Sequence, residues 1–496
     1  MQRLGHTCPK FPFDNTFARS LNGFYVFCNA APVVAPKLIQ FNKPLADELG
    51  LDAAINTSQI GSEIFSGNLI PDGAEPLAQV YAGHQFGHFT SQLGDGRALL
   101  LGEVVDAQGH RRDIQLKGSG PTPFSRNGDG RAALGPVLRE YLVSECMHAL
   151  GVPTTRALAA VTTGEMVKRQ ISLPGAVLTR IAASHIRIGT FQYFSARGKL
   201  NKVQELADYS ITRHYPHIAG EKNLYLAFFK AVADAQAFLI SRWMNIGFIH
   251  GVMNTDNMSV SGETIDYGPC AFMDKYSAHT VFSSIDHHGR YAYANQPVML
   301  LWNLARLAET LIPIVDSNED RAVRWLTEAL EEAQSLYSAY WLQGMRAKIG
   351  LSTERPSDPR LINDLLALME ECQTDFTLVF RQLPHVLRGD SNKVRDLFAK
   401  PTAFDDWLRC WHSRIKHEGI KPEIRAARMD ACNPICIPRN HKVEEALSAA
   451  VDRNDMKPFT NLLAVLLRPF EEFSDNQTYY VPGPELKDGY QTFCGT

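Results

Sequence analysis

His250-Gly-Val-Met-Asn-Thr-Asp256-Asn257, followed nine residues on by Asp266-Tyr-Gly268, is the stretch on which the fold turns. Before it, Leu224 to Met244 is long and largely apolar and reads as a helix. Asn245-Ile-Gly247 ends that helix, because glycine takes the left-handed conformation that closes a last turn. Gly247-Phe-Ile-His250 reads as a short buried strand, 251–257 as a polar loop, and Met258–Val260 as a second short strand. The result is a helix, a strand and a polar loop, and the stretch as a whole offers the carboxylates of Asp256 and Asp266 with the amide of Asn257. These are hard oxygen donors of the kind that hold Mg²⁺ against phosphate oxygens.

Protein-kinase catalytic loops run His-x-Asp, with an asparagine five residues after the aspartate and Asp-Phe-Gly beyond it. His250 and Asn257 have that spacing, and Asp266-Tyr-Gly stands where the metal motif belongs. The usual base is missing: its position is Val252, which accepts no proton. Asp256, just before the asparagine, is the group able to take a proton from an attacking hydroxyl. Asn257 and Asp266 are the expected metal ligands. An Asx-rich turn leading into a strand would explain each residue singly. The joint spacing after a long helix favours the kinase-like reading.

Towards the N-terminus the pattern becomes sheet-rich. Ala98–Val105 is apolar, Asp106-Ala-Gln-Gly-His110 is a turn, and Asp113-Ile-Gln-Leu-Lys117 alternates as a half-buried strand does. Residues 131–150 read as a helix stopped at Gly151, and strands return at Arg156–Thr162 and Ala176–Ile181. Beyond residue 290 the pattern is mainly helical, as in Val298–Ile312 and Leu361–Met369. The expected fold is α+β, protein-kinase-like and two-lobed, with a cleft between a sheet-rich N-terminal lobe and a helical C-terminal lobe plus further extensions. The boundaries are 1–75 for an N-terminal extension packing on the core, 76–220 for the sheet-rich lobe, 221–480 for the helical lobe, and 481–496 for a tail.

Gln92-Leu-Gly94-Asp-Gly96-Arg97 is a glycine turn before a strand, and Lys117 follows one hairpin later, the order in which kinases cover and hold phosphates. Taken alone, a hairpin turn and a solvated lysine fit as well. A similar turn recurs at Gly128-Asp129-Gly130-Arg131. Glu140, in the following helix, would hold Lys117, with Glu145 as the competing candidate. Arg180 and Arg187 fall between the two parts and could grip distal phosphates bidentately, although surface arginines are the commoner outcome. His84 and His88 are four apart, but Gln85 replaces the glutamate of a zinc-protease helix and the glycines oppose a helix, so the segment reads as structural.

The 496-residue chain carries a net charge of −3, which gives no sign of a nucleic-acid partner. It has no uninterrupted apolar run of about 18 residues, so no membrane span is expected. The first residues resemble neither a signal nor a transit peptide, so a cytoplasmic protein is expected. Its nine cysteines are scattered rather than arranged as a secreted framework, and Cys432-x3-Cys436 lacks a second pair for zinc. Cys494 stands in a polar tail where a buried role is hard to arrange.

Several stretches together resemble selenoprotein O, the YdiU-type protein adenylyltransferases. They are Tyr81-Ala-Gly-His-Gln-Phe-Gly87, Gln92–Arg97, Leu116-Lys-Gly-Ser-Gly-Pro-Thr-Pro-Phe-Ser-Arg126, Asp129-Gly-Arg131, and Asn254-Thr-Asp-Asn257 with Asp266-Tyr-Gly-Pro269. The resemblance runs over nearly the whole chain. It implies a kinase-like fold that binds ATP in a flipped orientation and transfers AMP, not phosphate, to Ser, Thr or Tyr hydroxyls of proteins; for bacterial members it also implies UMP transfer from UTP with Mn²⁺. It makes Gly94, Gly96, Arg97, Lys117, Asp129, Gly130, Arg180, Arg187 and Asp266 nucleotide contacts, and Asp256 the proton acceptor. Asn257 and Asp266 become ligands of Mg²⁺ or Mn²⁺. The implied partners are protein substrates and a nucleoside triphosphate, with no nucleic acid or membrane, and a monomer is expected. Eukaryotic relatives carry selenocysteine near the C-terminus where this chain has Cys494, which suggests a Cys270–Cys494 disulfide closing the tail over the cleft.

Overall fold

The computed structural model describes residues 11–52, 55, 59–484 and 489–493. Ten strands form the N-terminal part: β1 (Tyr25–Phe27), β2 (Lys37–Phe41), β3 (Leu77–Gln79), β4 (Gly83–Gln85), β5 (His88–Thr90), β6 (Ala98–Val105), β7 (Arg111–Lys117), β8 (Ala132–Ala133), β9 (Arg156–Lys168) and β10 (Ser172–Ala182). Eight make one antiparallel sheet in the order β1-β3-β6-β7-β10-β9-β2, with β8 on β10, while β4 and β5 form a separate hairpin. Both edge strands come from residues before 76, so that segment completes the sheet.

The strand period of two explains why the apolar run Ala98-Leu-Leu-Leu is needed. Leu100 and Leu178 face one core with the helix Leu134–Ala149. Leu99, Leu101 and Val177 face a second core with Leu45, Ile64 and Phe65 from two short N-terminal helices. A sheet covered on both faces requires apolar residues at consecutive positions. In β7, Ile114 and Leu116 are buried as alternation predicts, but so are Asp113 and Gln115. The polar face of that strand meets buried charge rather than solvent. A β-bulge between Thr179 and Arg180 lies at a functional candidate, a common place for this device to redirect a side chain.

The helix read at 131–150 runs Leu134–Ala149, preceded by β8. The strand expected at Met258–Val260 does not form; a single bridge between Ser259 and Arg187 is all that pairs there. Met258 and Val260 are apolar because they are buried among helices, and a run that short does not distinguish the two cases. The Phe248–Ile249 strand (β11) does form and pairs with Ala271–Phe272 (β12).

Helices dominate after residue 188. Leu224–Ile246 and Tyr293–Val315 are long and apolar enough to cross a membrane by length and composition alone. Both are packed in the core here, with Phe228, Phe229, Trp243 and Leu304 fully covered. Their buried amides pin β11 and the loop that follows it. Gln236 donates to the Ser259 carbonyl at 2.5 Å, Asn303 to Met253 at 2.9 Å and Gln296 to Phe248 at 2.9 Å. The two C-terminal helices Asn440–Arg453 and Lys457–Leu466 return to the helix Leu134–Ala149, with Phe459 edge-on to Tyr141.

One buried charge cluster anchors the far end of the helical part. Glu418 accepts hydrogen bonds from Arg414 (3.0 Å), Arg425 (2.7 Å) and Thr353 N (2.9 Å). Burial alone would raise its carboxyl, but these bonds override it and hold it at about 2, against an ordinary 4.5. Removing one partner of a buried pair strands the others, so Glu418→Gln should cost on the order of 3 kcal/mol at pH 7 in urea unfolding. A depressed carboxylate stabilises fully above its unfolded pKa and progressively less as pH falls towards its folded one. The gap between wild type and variant should therefore narrow from pH 4.5 down to pH 2.

Candidate active site

Between the sheet and the helices lies a cleft of about 920 Å³, within the size range of ligand pockets. Asp266 stands at its centre in a left-handed conformation (φ 61°) that non-glycine residues seldom adopt. Lys117 at the end of β7 reaches its Oδ1 at 2.6 Å, as does Arg180 at the β10 bulge, and Arg187 reaches Oδ2 at 2.5 Å. Glu140 braces two of these cations, at 2.6 Å from Lys117 and 3.2 Å from Arg180. Burial would raise the Asp266 carboxyl, but Lys117, Arg180 and Arg187 override it and hold it well below the usual range. Strained backbone of this kind persists where surrounding contacts over-determine it, and here three ion pairs do so.

The choice between Glu140 and Glu145 is settled by direction. Glu145 turns to the sheet, where it accepts from Arg156 at 2.8 and 2.7 Å and from Ala157 N.

Asp256 lies in a short 3₁₀ turn, Thr255–Asn257, and lines the same cleft as Lys117. Arg187 donates to its backbone carbonyl. Its Oδ2 has a long 3.4 Å contact from Gln85, and its Oδ1 is buried with no hydrogen-bond partner. Burial pushes this carboxyl up to about 6, with Arg187 opposing. Asn257 donates from Nδ2 to the Val252 carbonyl at 2.9 Å, which leaves its amide oxygen as the acceptor towards the cleft it lines. His250 is buried, stacked on Trp243 and bonded to the Ile265 carbonyl at 2.8 Å. It is a structural post that joins the loop to the Asp266 segment.

The glycine turns sit over the same cleft. Gly94 has φ 81°, and a Cβ there would stand 2.5 Å from the Phe124 ring. Gly96 and Arg97 follow it on the cleft wall, and Thr122 Oγ1 clips the turn by donating to the Asp95 carbonyl at 2.6 Å. Asp129 and Gly130 lie in the second turn at the mouth. Arg169 holds Asp129 through two bonds of 2.8 and 3.1 Å. The eleven residues expected to contact nucleotide, hold metal or accept the proton thus border one cleft.

Two features were not read from the sequence. Asp95 is buried with Oδ1 unpartnered, and burial pushes it up to about 6 with Arg187 opposing. The hairpin β4–β5, expected only to be structural, closes directly on the 250–257 loop. His84 N donates to Thr255 Oγ1 (2.7 Å), Phe86 N donates to Asn254 Oδ1 (3.0 Å), and a Cβ on Gly83 would come within 2.5 Å of Asp256 Oδ1. Gly83, one of the glycines that argued against a helix, leaves the room that the Asp256 side chain fills, and Gly87 takes the left-handed conformation (φ 86°) of the hairpin turn.

The sequence matches the family described as protein adenylyltransferase SelO over residues 9–467. The chain belongs to this family. It is 57% identical over 488 residues to a Cereibacter sphaeroides protein named protein nucleotidyltransferase YdiU, covering 98% of this chain and all of the relative. Relatives of the same name from Rhizobium rhizogenes and Methylorubrum extorquens are 56% and 55% identical, with 98% of this chain covered and 97% and 99% of theirs. The family is one of nucleotide-transferring enzymes, which matches a cleft built around cations. Cys270 lies beneath this cleft, fully buried, and burial pushes its thiol up to about 12. The tail passes close by, with Thr492 Oγ1 donating to the Pro269 carbonyl at 2.8 Å. Cys494 lies outside the described residues.

Proposed function

We propose that this chain transfers the AMP part of ATP to a serine, threonine or tyrosine hydroxyl of a protein and releases pyrophosphate, with UTP and UMP as the alternative donor and product. The observation that carries the reading is the triad of cations on Asp266 facing a carboxylate, Asp256, whose Oδ1 is unpartnered. In this reaction the acceptor oxygen bonds to the α-phosphorus and the bond from that phosphorus to the β-bridging oxygen breaks. The hydroxyl proton passes to Asp256 Oδ1. Pyrophosphate departs with the electron pair, and Lys117, Arg180 and Arg187 neutralise the charge that develops on it. A carboxylate of pKa about 6 is ionised at neutral pH and still basic enough to share a proton in flight. ATP lies flipped relative to a kinase, with its leaving phosphates towards the cations.

A divalent cation suits the donors present. Asp266 is held ionised and Asn257 offers its amide oxygen, two hard ligands that substrate phosphates complete. Bound there, Mg²⁺ or Mn²⁺ would supply further charge neutralisation at phosphate oxygens.

ATP labelled at the α- or the γ-phosphate, incubated with the protein and an acceptor protein, tests the reading. Transfer from α alone is expected. Transfer from γ alone would make the chain a kinase using Asp256 as base, and transfer from neither would leave a nucleotide-binding scaffold.

A further inference from the structure

A protein acceptor must be held beside Asp256, and the residues described so far do not hold it. Gln85 and Phe86 of the hairpin β4–β5 line the cleft together with Ile285, and the segment that follows Ile285 packs on that hairpin, with Tyr291 edge-on to Phe86 and Trp302 edge-on to His84. Tyr291 Oη donates to Asn254 Oδ1 at 2.6 Å, the same oxygen that receives Phe86 N, so this segment is bolted to the loop that carries Asp256. The next residue back is Arg290. Its guanidinium carbon lies 4.7 Å from the Trp302 ring centroid and 5.7 Å from that of Tyr291. The guanidinium also meets Gly87, where a Cβ would stand 3.6 Å from Cζ. Gly87 is two residues from Gln85, which touches Asp256.

Arg290 forms no ion pair among the described residues, and its buried Nε has no partner. Asp286, the nearest carboxylate in sequence, gives its oxygens to the backbone N–H groups of Arg290 and Tyr291 at 2.9 and 2.8 Å. A second guanidinium, Arg306, lies 5.2 Å from the same indole but is paired with Glu309 at 2.5 Å. The two arginines differ in that only one has a carboxylate. Phe89, packed on His84 of the same hairpin, and Ile285, on the cleft lining, are both exposed. Trp, Tyr and Arg around a partly desolvated spot are the composition of interface hot spots. A guanidinium is a planar fork whose geometry suits a carboxylate, and contact with an indole restrains where that fork can go.

We propose that Arg290, seated on Trp302, captures an Asp or Glu side chain of the protein acceptor near the hydroxyl to be modified, so that the preferred acceptor segment is acidic. The inference rests on the reading of Asp256 as the proton acceptor only for what the captured segment is then used for.

The test uses the full chain and three dye-labelled peptides of equal length, each with one central tyrosine flanked by Asp and Glu, by Ser and Gln, or by Lys. Anisotropy should show the acidic peptide binding about tenfold more tightly than the neutral one, as one charge-assisted pair would give. Arg290→Gln, which keeps planar donors without the charge, should shrink that preference to about twofold, and Arg290→Glu should favour the Lys peptide. ATP affinity should stay within about twofold in both variants. Equal binding of all three peptides by wild type would overturn the proposal. So would an undiminished preference in Arg290→Gln, or a comparable loss of ATP affinity, which would assign the arginine to the nucleotide. Label transfer from α-labelled ATP to the same peptides is read separately. An acidic preference with no label would sink the transfer reading and leave the docking intact, and label without preference would do the reverse.

Discussion

Asp256→Ala is expected to lower nucleotidyl transfer by about 10³-fold, within the range that a positioned acid or base contributes, while ATP affinity stays within about threefold. The separation follows from how the residue is held. Arg187 grips the backbone carbonyl of residue 256, which the substitution leaves in place. The side chain itself makes only the long contact to Gln85 and leaves Oδ1 unpartnered, so its loss frees no buried partner with a strong bond. Stability should move the other way. A carboxyl raised from 3.8 to about 6 on folding binds its proton more tightly in the native state, so its contribution to stability falls as pH rises through that window. Above it, the native state carries the full cost of a buried charge, and the alanine variant should melt no lower than wild type at pH 8. Calorimetric ATP binding, α-label transfer and melts at pH 8 measure the three quantities. A variant that loses activity only in proportion to a lost Tm would make Asp256 structural.

What the sequence made legible follows from whether a residue's job is local. The order glycine turn, Lys117, helix glutamate, polar loop, Asp-x-Gly is a chain-order signal, and it led to residues that meet in one cleft. Glu140 and Glu145 could not be separated, because both sit in one helix and the deciding facts are Lys117 on one side and Arg156 on the other. The hairpin at 83–90 is structural as expected, but what it braces was hidden for the same reason. Its importance lies in contacts to residues about 170 positions away, and only its glycines, which permit close approach, left a trace in the sequence. Alternation in Asp113–Lys117 suggested a solvated face. Gln115 is instead fully buried and accepts from Arg180 at 2.6 Å, since a buried cation network needs polar partners that periodicity cannot tell from water-facing ones. The N-terminal segment looked like an addition, yet it supplies both edges of the sheet, and short strands of three and five residues carry little pattern.

Asp266→Asn should be the most damaging single change, because it touches chemistry and fold together. Three cations share this carboxylate, and Arg180 is only 1% exposed. Without the charge, Glu140 remains for Lys117 and Arg180, and Arg187 loses its carboxylate partner. Breaking a buried pair of this kind costs about 3–5 kcal/mol, so a clear fall in Tm at pH 7 is expected. The deficit has a defined pH course. Asp266 is held well below its ordinary 3.8, so its stabilisation is complete above that value and fades below it, and variant and wild type should converge in acid. Transfer should fall by about 10³-fold or more, since the cations that face the leaving group lose their alignment. Pyrophosphate separates this account from simple misfolding. An anion that seats on Lys117, Arg180 and Arg187 replaces the missing counter-charge, and a ligand stabilises the form it binds. In EDTA, pyrophosphate should therefore raise the Tm of Asp266→Asn by more than that of wild type, where Asp266 already occupies those cations. An equal or smaller rise, or a variant as stable and active as wild type, would remove the cation cluster from the reaction.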